Sequence, residues 1–171
     1  GTLTVSNTLG TGISNSGTIN NSGGIINVSN TAGTGINNTI GTILNSGSIT
    51  ISSTSGTSIN NDSHAIISNS GTISNSGTIK NQCGATYFGT VPTGNLIVDA
   101  CVSCIPTLVD WTITSSCQLS ASVSVTGNVT VQNNSVLVIP SGKTLDIVFA
   151  TKHLLIESGS KVLIKSGGKI D

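Results

Sequence analysis

Aliphatic residues recur along this chain at a fixed step. Leu3, Ile26 and Ile49 stand 23 apart, as do Val5, Val28 and Ile51, and Ile13, Ile36 and Ile59. Ile19, Ile43 and Ile66 repeat with a one-residue slip, and Ile73 follows Ile49 by 24. The phrases around them repeat too: NTLGTGISN from Asn7, NTAGTGINN from Asn30 and STSGTSINN from Ser53. A fixed period of about 20–50 residues marks a solenoid, in which each repeat is one coil stacked on its neighbours. The pattern predicts aliphatic columns inside that stack, and β-branched side chains suit a pleated, half-buried surface. No i, i+3, i+4 spacing is present, and the Gly, Ser, Thr and Asn content opposes helix interiors. The expected fold is all-β: a β-solenoid, or β-helix, with coils of about 23–24 residues.

Polar positions repeat with the same step. Asn15, Asn38 and Asn61 are 23 apart, and Asn21, Asn45 and Asn69 are 24 apart. Stacked amides bond to the copies above and below them, as in cross-β ladders. NSG follows at Asn15, Asn45, Asn69 and Asn75, and both Asn and Gly tolerate the positive φ that tight corners need. NSGTI at Asn15, Asn69 and Asn75 adds a local step of six, which fits short strands joined by sharp turns.

The pattern divides the chain in three. Residues 1–82 carry the Asn-rich coils. Residues 83–118 hold all four Cys, the only Trp and the only Tyr, and read as an irregular stapled segment. Residues 119–171 return to regular strands: Val129 with Val131, Leu137 with Ile139, and Leu145 with Ile147 are apolar pairs eight apart. Leu154 with Ile156 and Val162 with Ile164 continue them, and three strides make a coil of about 24. TGN, PSGK, SGSK and SGGK mark the turns. The expectation is one continuous solenoid with a stapled middle.

Composition narrows the function. Only 7% of residues are charged and 2% aromatic, against about 25% charged in an ordinary domain. Disordered chains share the low charge but lack a dense periodic set of Ile, Val and Leu. All six basic residues are Lys and the net charge is zero, which gives no footprint for nucleic acid. No apolar run reaches the length of a membrane span. No signal-like segment opens the chain, so Gly1 is expected to be either a processed terminus or the start of a piece of a longer chain.

Cys83, Cys101, Cys104 and Cys117 are even in number and lie in a loop-rich stretch, which favours two disulfides in an oxidising compartment. The CVSC step suits half a zinc site, but the outer two Cys stand alone. Of three connectivities, Cys83–Cys101 with Cys104–Cys117 is the expected one. The acids Asp62, Asp99, Asp110, Asp146, Glu157 and Asp171 are never 23 or 24 apart, so no two are expected on adjacent coils as a carboxylate pair. His64 and His153 are isolated, and no catalytic residue, metal or cofactor is expected. Trp111, Tyr87 and Phe88 are candidates for packing or for an interface, and a sugar-stacking platform is the less favoured role. Thr8, Thr31 and Thr54, and Thr11, Thr34 and Thr57, also repeat. Ice binding wants outward Thr at T-x-T spacing, and here the spacing is T-x-x-T, which turns explain better. Six sequons begin at Asn20, Asn27, Asn37, Asn61, Asn128 and Asn133, candidate glycan acceptors that would keep an uncharged secreted rod in solution.

The stretch from DWTITSSC at Asp110 through IPSGKTLDI at Ile139 to the C-terminus resembles extracellular repeat proteins of ammonia-oxidising (thaumarchaeal) archaea. The NSGTINNSGGI and NSGTISNSGTI phrases resemble the same kind of surface β-solenoid, seen also in autotransporter-like adhesins. The resemblance implies a secreted, cell-surface structural protein and carries over no catalytic residue.

Open solenoid ends present unpaired backbone groups that natural solenoids cap. Neither TLTVS nor VLIKSGGKID is expected to act as such a cap. The expected function is therefore a subunit of an extracellular filament, with copies of the chain as partners through end-to-end stacking or strand donation. A glycan-binding adhesin module is the alternative, and ice binding a distant third.

Overall fold

The computed structural model describes residues 1–7, 9–30, 32–53, 56–95, 97–99, 101–107 and 109–171. Among them there are parallel β-strands and no helix. Two compact units are present, Gly1–Ala100 and Cys101–Asp171.

In the first unit three strands make a coil. Coil 1 holds β1 (Thr2–Asn7), β2 (Thr11–Asn15) and β3 (Thr18–Asn21). Coil 2 holds β4 (Ile25–Asn30), β5 (Gly33–Asn38) and β6 (Thr42–Asn45). Coil 3 holds β7 (Ser48–Ser53), β8 (Gly56–Asn61) and β9 (Ile66–Asn69). Coil 4 holds β10 (Thr72–Asn75), β11 (Thr78–Asn81) and β12 (Thr86–Gly89), and β13 (Ile97–Asp99) lies on β11. The sheets run β1-β4-β7-β10, β2-β5-β8-β11-β13 and β3-β6-β9-β12.

The registers are those of a β-solenoid with the expected columns. Leu3 pairs with Ile26, Ile26 with Ile49 and Ile49 with Ile73. Val5, Val28 and Ile51 form a second column and Ile13, Ile36 and Ile59 a third. Ile26, Val28, Ile36, Ile49, Ile51 and Ile59 are all buried. Val5 and Ile13 are only half-buried and Leu3 is 50% exposed, because β1 and β2 are edge strands among the described residues.

One column differs from the expectation. Ile43 stacks on Ile67, not on Ile66, whose partner is Thr42. Ile67 is buried and Ile66 points outward, so that column keeps a step of 24 throughout. The sequence offers two adjacent Ile, and only the register separates them.

Glycine holds one corner. Gly33 and Gly56 stack with φ of 108° and 136°. A Cβ on Gly33 would come within 2.2 Å of the Gly10 carbonyl oxygen, and one on Gly56 within 2.4 Å of the Gly33 oxygen. Both the backbone angle and the space exclude other residues there.

Coil 4 is shorter. Ile79 stacks on Ile59 and Asn81 on Asn61, each pair 20 apart in sequence, with a register shift at Thr78. Its β10–β11 corner is only Ser76–Gly77, and the Gly77 N–H donates to the buried Ser58 hydroxyl at 2.9 Å. On β10, Asn75 takes the position above Ile51 and is itself buried.

The second unit has three coils: β14 (Trp111–Ile113), β15 (Cys117–Gln118) and β16 (Val123–Val125); β17 (Val129–Val131), β18 (Val136–Ile139) and β19 (Thr144–Ile147); β20 (Leu154–Ile156), β21 (Lys161–Ile164) and β22 (Lys169–Ile170). Val129 pairs with Leu154, Leu137 with Val162 and Leu145 with Ile170. Each of these steps is 25, one more than three strides of eight, because Leu145 and Leu154 lie nine apart around the Val148–Lys152 turn. The core is Trp111, Ile113, Val125, Val129, Val131, Leu137, Ile139, Leu145 and Ile147, with Cys104 and Cys117 at its edge. All four Cys are disulfide-bonded. Cys104–Cys117 closes with its Cα atoms 5.0 Å apart.

Candidate functional site

The repeat places asparagine where a strand ends and the chain turns a corner. In the first unit these amides form two continuous ladders. Asn15 Nδ2 donates to Asn38 Oδ1 at 2.7 Å, and Asn38 Nδ2 to Asn61 Oδ1 at 2.8 Å. Asn21 Nδ2 donates to Asn45 Oδ1, and Asn45 Nδ2 to Asn69 Oδ1, both at 2.7 Å. The second amide proton of each goes to a main-chain carbonyl: Thr42 from Asn15, Ile66 from Asn38, Ser48 from Asn21 and Thr72 from Asn45. A buried amide fully paired in this way replaces charge as the polar element of the stack.

Two residues that end the ladders escaped the fixed step. Asn81 follows Asn61 by only 20 and accepts its Nδ2 at 2.8 Å. Tyr87 ends the other: its hydroxyl accepts from Asn69 at 3.2 Å and donates to the Thr90 carbonyl at 2.6 Å. Burial holds the Tyr87 phenol above its ordinary pKa, partly offset by the Asn69 bond. An outer row, Asn37–Asn60–Gln82, is bonded at 2.9 and 3.0 Å; Asn37 and Asn60, 23 apart, were a signal for it.

The face of coil 1 is an open sheet edge. Ile25 N–H donates to the Gly1 carbonyl, so by alternation the main-chain groups of Thr2, Thr4 and Ser6 point away from coil 2. Leu3, Val5, Ile13 and Ile19 end the aliphatic columns there. A groove of about 420 Å³ opens at this face, lined by Thr2, Leu3, Ile19, Asn21, Gly24 and Ile26 among others.

In the second unit, β20, β21 and β22 are the edge strands on one side of their three sheets, and β14, β15 and β16 on the other. Glu157 N–H donates to Val131 O and Lys165 N–H to Ile139 O, so the main-chain groups of Ile156 and Ile164 point outward. Ile156 is 45% and Ile164 47% exposed, and Leu154, Val162 and Ile170 are half-buried. Lys161 sits among them, its pKa lowered by burial.

Most of the remaining candidates are dispersed, but Asp146 and Asp171, against the expectation, fall at one position on adjacent coils, because the second unit's step is 25 and not 23 or 24. Trp111 is 4% exposed and packed in the second unit's core, so it is neither an interface nor a sugar platform. Tyr87 is half-buried in the ladder, and Phe88 alone of the three is exposed. Among the sequons, Asn61 is fully buried with both amide protons donated, which rules out a glycan there in the folded chain. Asn20 and Asn133 are exposed, Asn27, Asn37 and Asn128 partly so, and Asn128 Oδ1 accepts the His153 N–H.

Asp110 accepts the Asn128 N–H, Asp146 the Ser124 hydroxyl, and Asp171 pairs with Lys169. His64 Nδ1 lies 3.0 Å from the Ser63 hydroxyl, but the Asp62 carboxylate takes the Ser63 N–H and does not orient the imidazole. Thr8, Thr31 and Thr54 lie outside the described residues. Thr11, Thr34 and Thr57 stack at strand starts. Thr2 and Thr4 do point outward on β1, but Ile25 and Asn27 occupy the same positions on β4, so the threonine row is not an array.

Among the described residues no helix is long and apolar enough to cross a membrane. Comparison with known proteins found no matching family model, no similar curated protein and no similar solved structure.

Proposed function

We propose that this chain is a structural subunit of an extracellular filament, assembled by copies that stack coil on coil or exchange an edge strand. One observation carries the reading: coils stack in register by parallel strand pairing over aliphatic columns and asparagine ladders, a contact that an outer strand edge can repeat with a coil of another copy. An exposed edge of this kind is a template for pairing with another chain. Two different faces that meet without closing a ring build a filament. Burying the column ends supplies the driving force, at about 25 cal/mol per Å² of apolar surface. Two disulfides suit an oxidising compartment, which favours the outside of the cell.

Negative-stain microscopy of the purified chain tests this. Long thin fibres are expected, growing with concentration. Thr4→Pro removes an outward N–H without touching a bond to β4, and fibres should vanish while the circular dichroism spectrum stays unchanged. Monodisperse particles at every concentration would sink the proposal.

A further inference from the structure

The outer faces of the first unit differ in chemistry. On the sheet of β1, β4, β7 and β10 the outward positions of the described residues hold Thr, Ser and Asn, with Ile25 the one large apolar side chain. On the sheet of β6, β9 and β12 coils 2, 3 and 4 each set a large apolar residue outward. These are Leu44, Ile66 and Phe88, all exposed. Each shares its strand with a smaller, half-buried outward residue two positions away: Thr42, Ser68 and Thr86. The register sets Thr42, Ile66 and Thr86 in one outer column and Leu44, Ser68 and Phe88 in the other. The large residue therefore changes column from coil to coil, and every knob has a hole beside it. None of these six residues is charged.

Such a face is complementary to itself. A two-fold axis parallel to the coil stack turns a second copy so that its strands run antiparallel to those they face. Leu44 then faces Thr42, Ile66 faces Ser68 and Phe88 faces Thr86, large onto small at every coil. No charge meets its like across the contact. Two sheets packed in this way stand about 10 Å apart with their side chains interdigitated. Three strands of four residues cover about 13 by 14 Å, on the order of 200 Å² per copy. A stable complex of two free chains buries about 800 Å² per partner. One contact is therefore weak, and a row of them along stacked copies is multivalent. We infer that the face of β6, β9 and β12 pairs with the same face of a second copy, joining filaments side by side with their coil axes parallel. This inference rests on the filament reading for its strength and adds to it a lateral contact that bundles the fibres.

The test uses the full chain and two variants. One carries Leu44→Thr, Ile66→Thr and Phe88→Thr together. The other, Ser68→Lys, keeps the three apolar side chains and puts a charge into the hole. All four positions face outward, so the circular dichroism spectrum should not change. Negative-stain microscopy should show wild-type fibres in pairs or bundles and single fibres of the same length for both variants. Sedimentation equilibrium reads the free chain: the wild type should self-associate with a Kd on the order of 1 mM, and each variant about tenfold or more weakly. Wild-type fibres that run singly, or variant fibres that bundle equally, overturn the inference and leave the filament. Millimolar self-association that both variants lose, without fibres, defeats the filament and leaves the face. Chains that neither form fibres nor self-associate overturn both. Binding to phosphatidylcholine vesicles that the triple variant loses, without self-association, would assign the face to a membrane surface and overturn the inference too.

Discussion

Replacing Asn38 by Leu, which is close to it in size, should destabilise the first unit more than any single aliphatic truncation on coil 1. Asn38 is fully buried and takes part in three bonds: from Asn15 at 2.7 Å, to Asn61 at 2.8 Å and to the Ile66 carbonyl at 3.2 Å. Each such bond contributes about 1 kcal/mol net. Leu also leaves the buried Asn61 oxygen without its ladder donor, which costs about 1–3 kcal/mol more. The expected loss is about 4 kcal/mol, a large part of the total stability of a domain. Urea unfolding followed by circular dichroism measures it, with Ile13→Val on coil 1 as the reference at about 1 kcal/mol. The asymmetry of hydrogen-bond energetics allows a sharper check. Changing Asn15, Asn38, Asn61 and Asn81 together to Leu removes donors with their acceptors, so the fourfold variant should lose much less than four times the single loss. A loss below about 1 kcal/mol for Asn38→Leu alone would refute the claim that the ladder is a fully paired, stabilising element.

Three further outcomes follow from single residues. Gly33→Ala should cost about 2 kcal/mol or more in thermal unfolding, because φ is 108° and the new Cβ meets the Gly10 carbonyl. Reducing Cys104–Cys117, which closes a separation of 13 residues, should lower the second unit's stability by about 3 kcal/mol in the same assay. Lys161→Met should raise the melting temperature at neutral pH. The lysine's folded pKa lies below 10.5, so the unfolded chain binds more protons between the two values and the wild type gains stability as pH rises through that window. The advantage of the variant should therefore shrink as pH approaches and passes 10.5.

Much of this architecture is legible in the residues because a stacked coil must repeat whatever faces inward. The columns through Ile26, Val28 and Ile36 and the amides at Asn38 and Asn45 all follow from a constant step. What escapes the step is set by corners. The Ser76–Gly77 corner shortens coil 4, which brings Asn81 onto Asn61 at a step of 20 rather than 23, and no period reveals that. Ile66 and Ile67 are chemically identical, and only the length of the preceding loop decides which turns inward. A sequon at Asn61 is the same three letters whether its amide is exposed or spent in a ladder. Trp111, read beside its Cys neighbours as a candidate for packing or for an interface, takes the packing role, in the core of a coil whose first step, from Trp111 to Val129, is only 18. The direction of the ladders is hidden for a deeper reason. An asparagine offers both a donor and an acceptor, so its position in sequence carries no polarity. Polarity arises only when one end is closed by groups that break the repeat. Tyr87 and Thr90 are such groups, and they take the amide protons of Asn69 where its ladder ends.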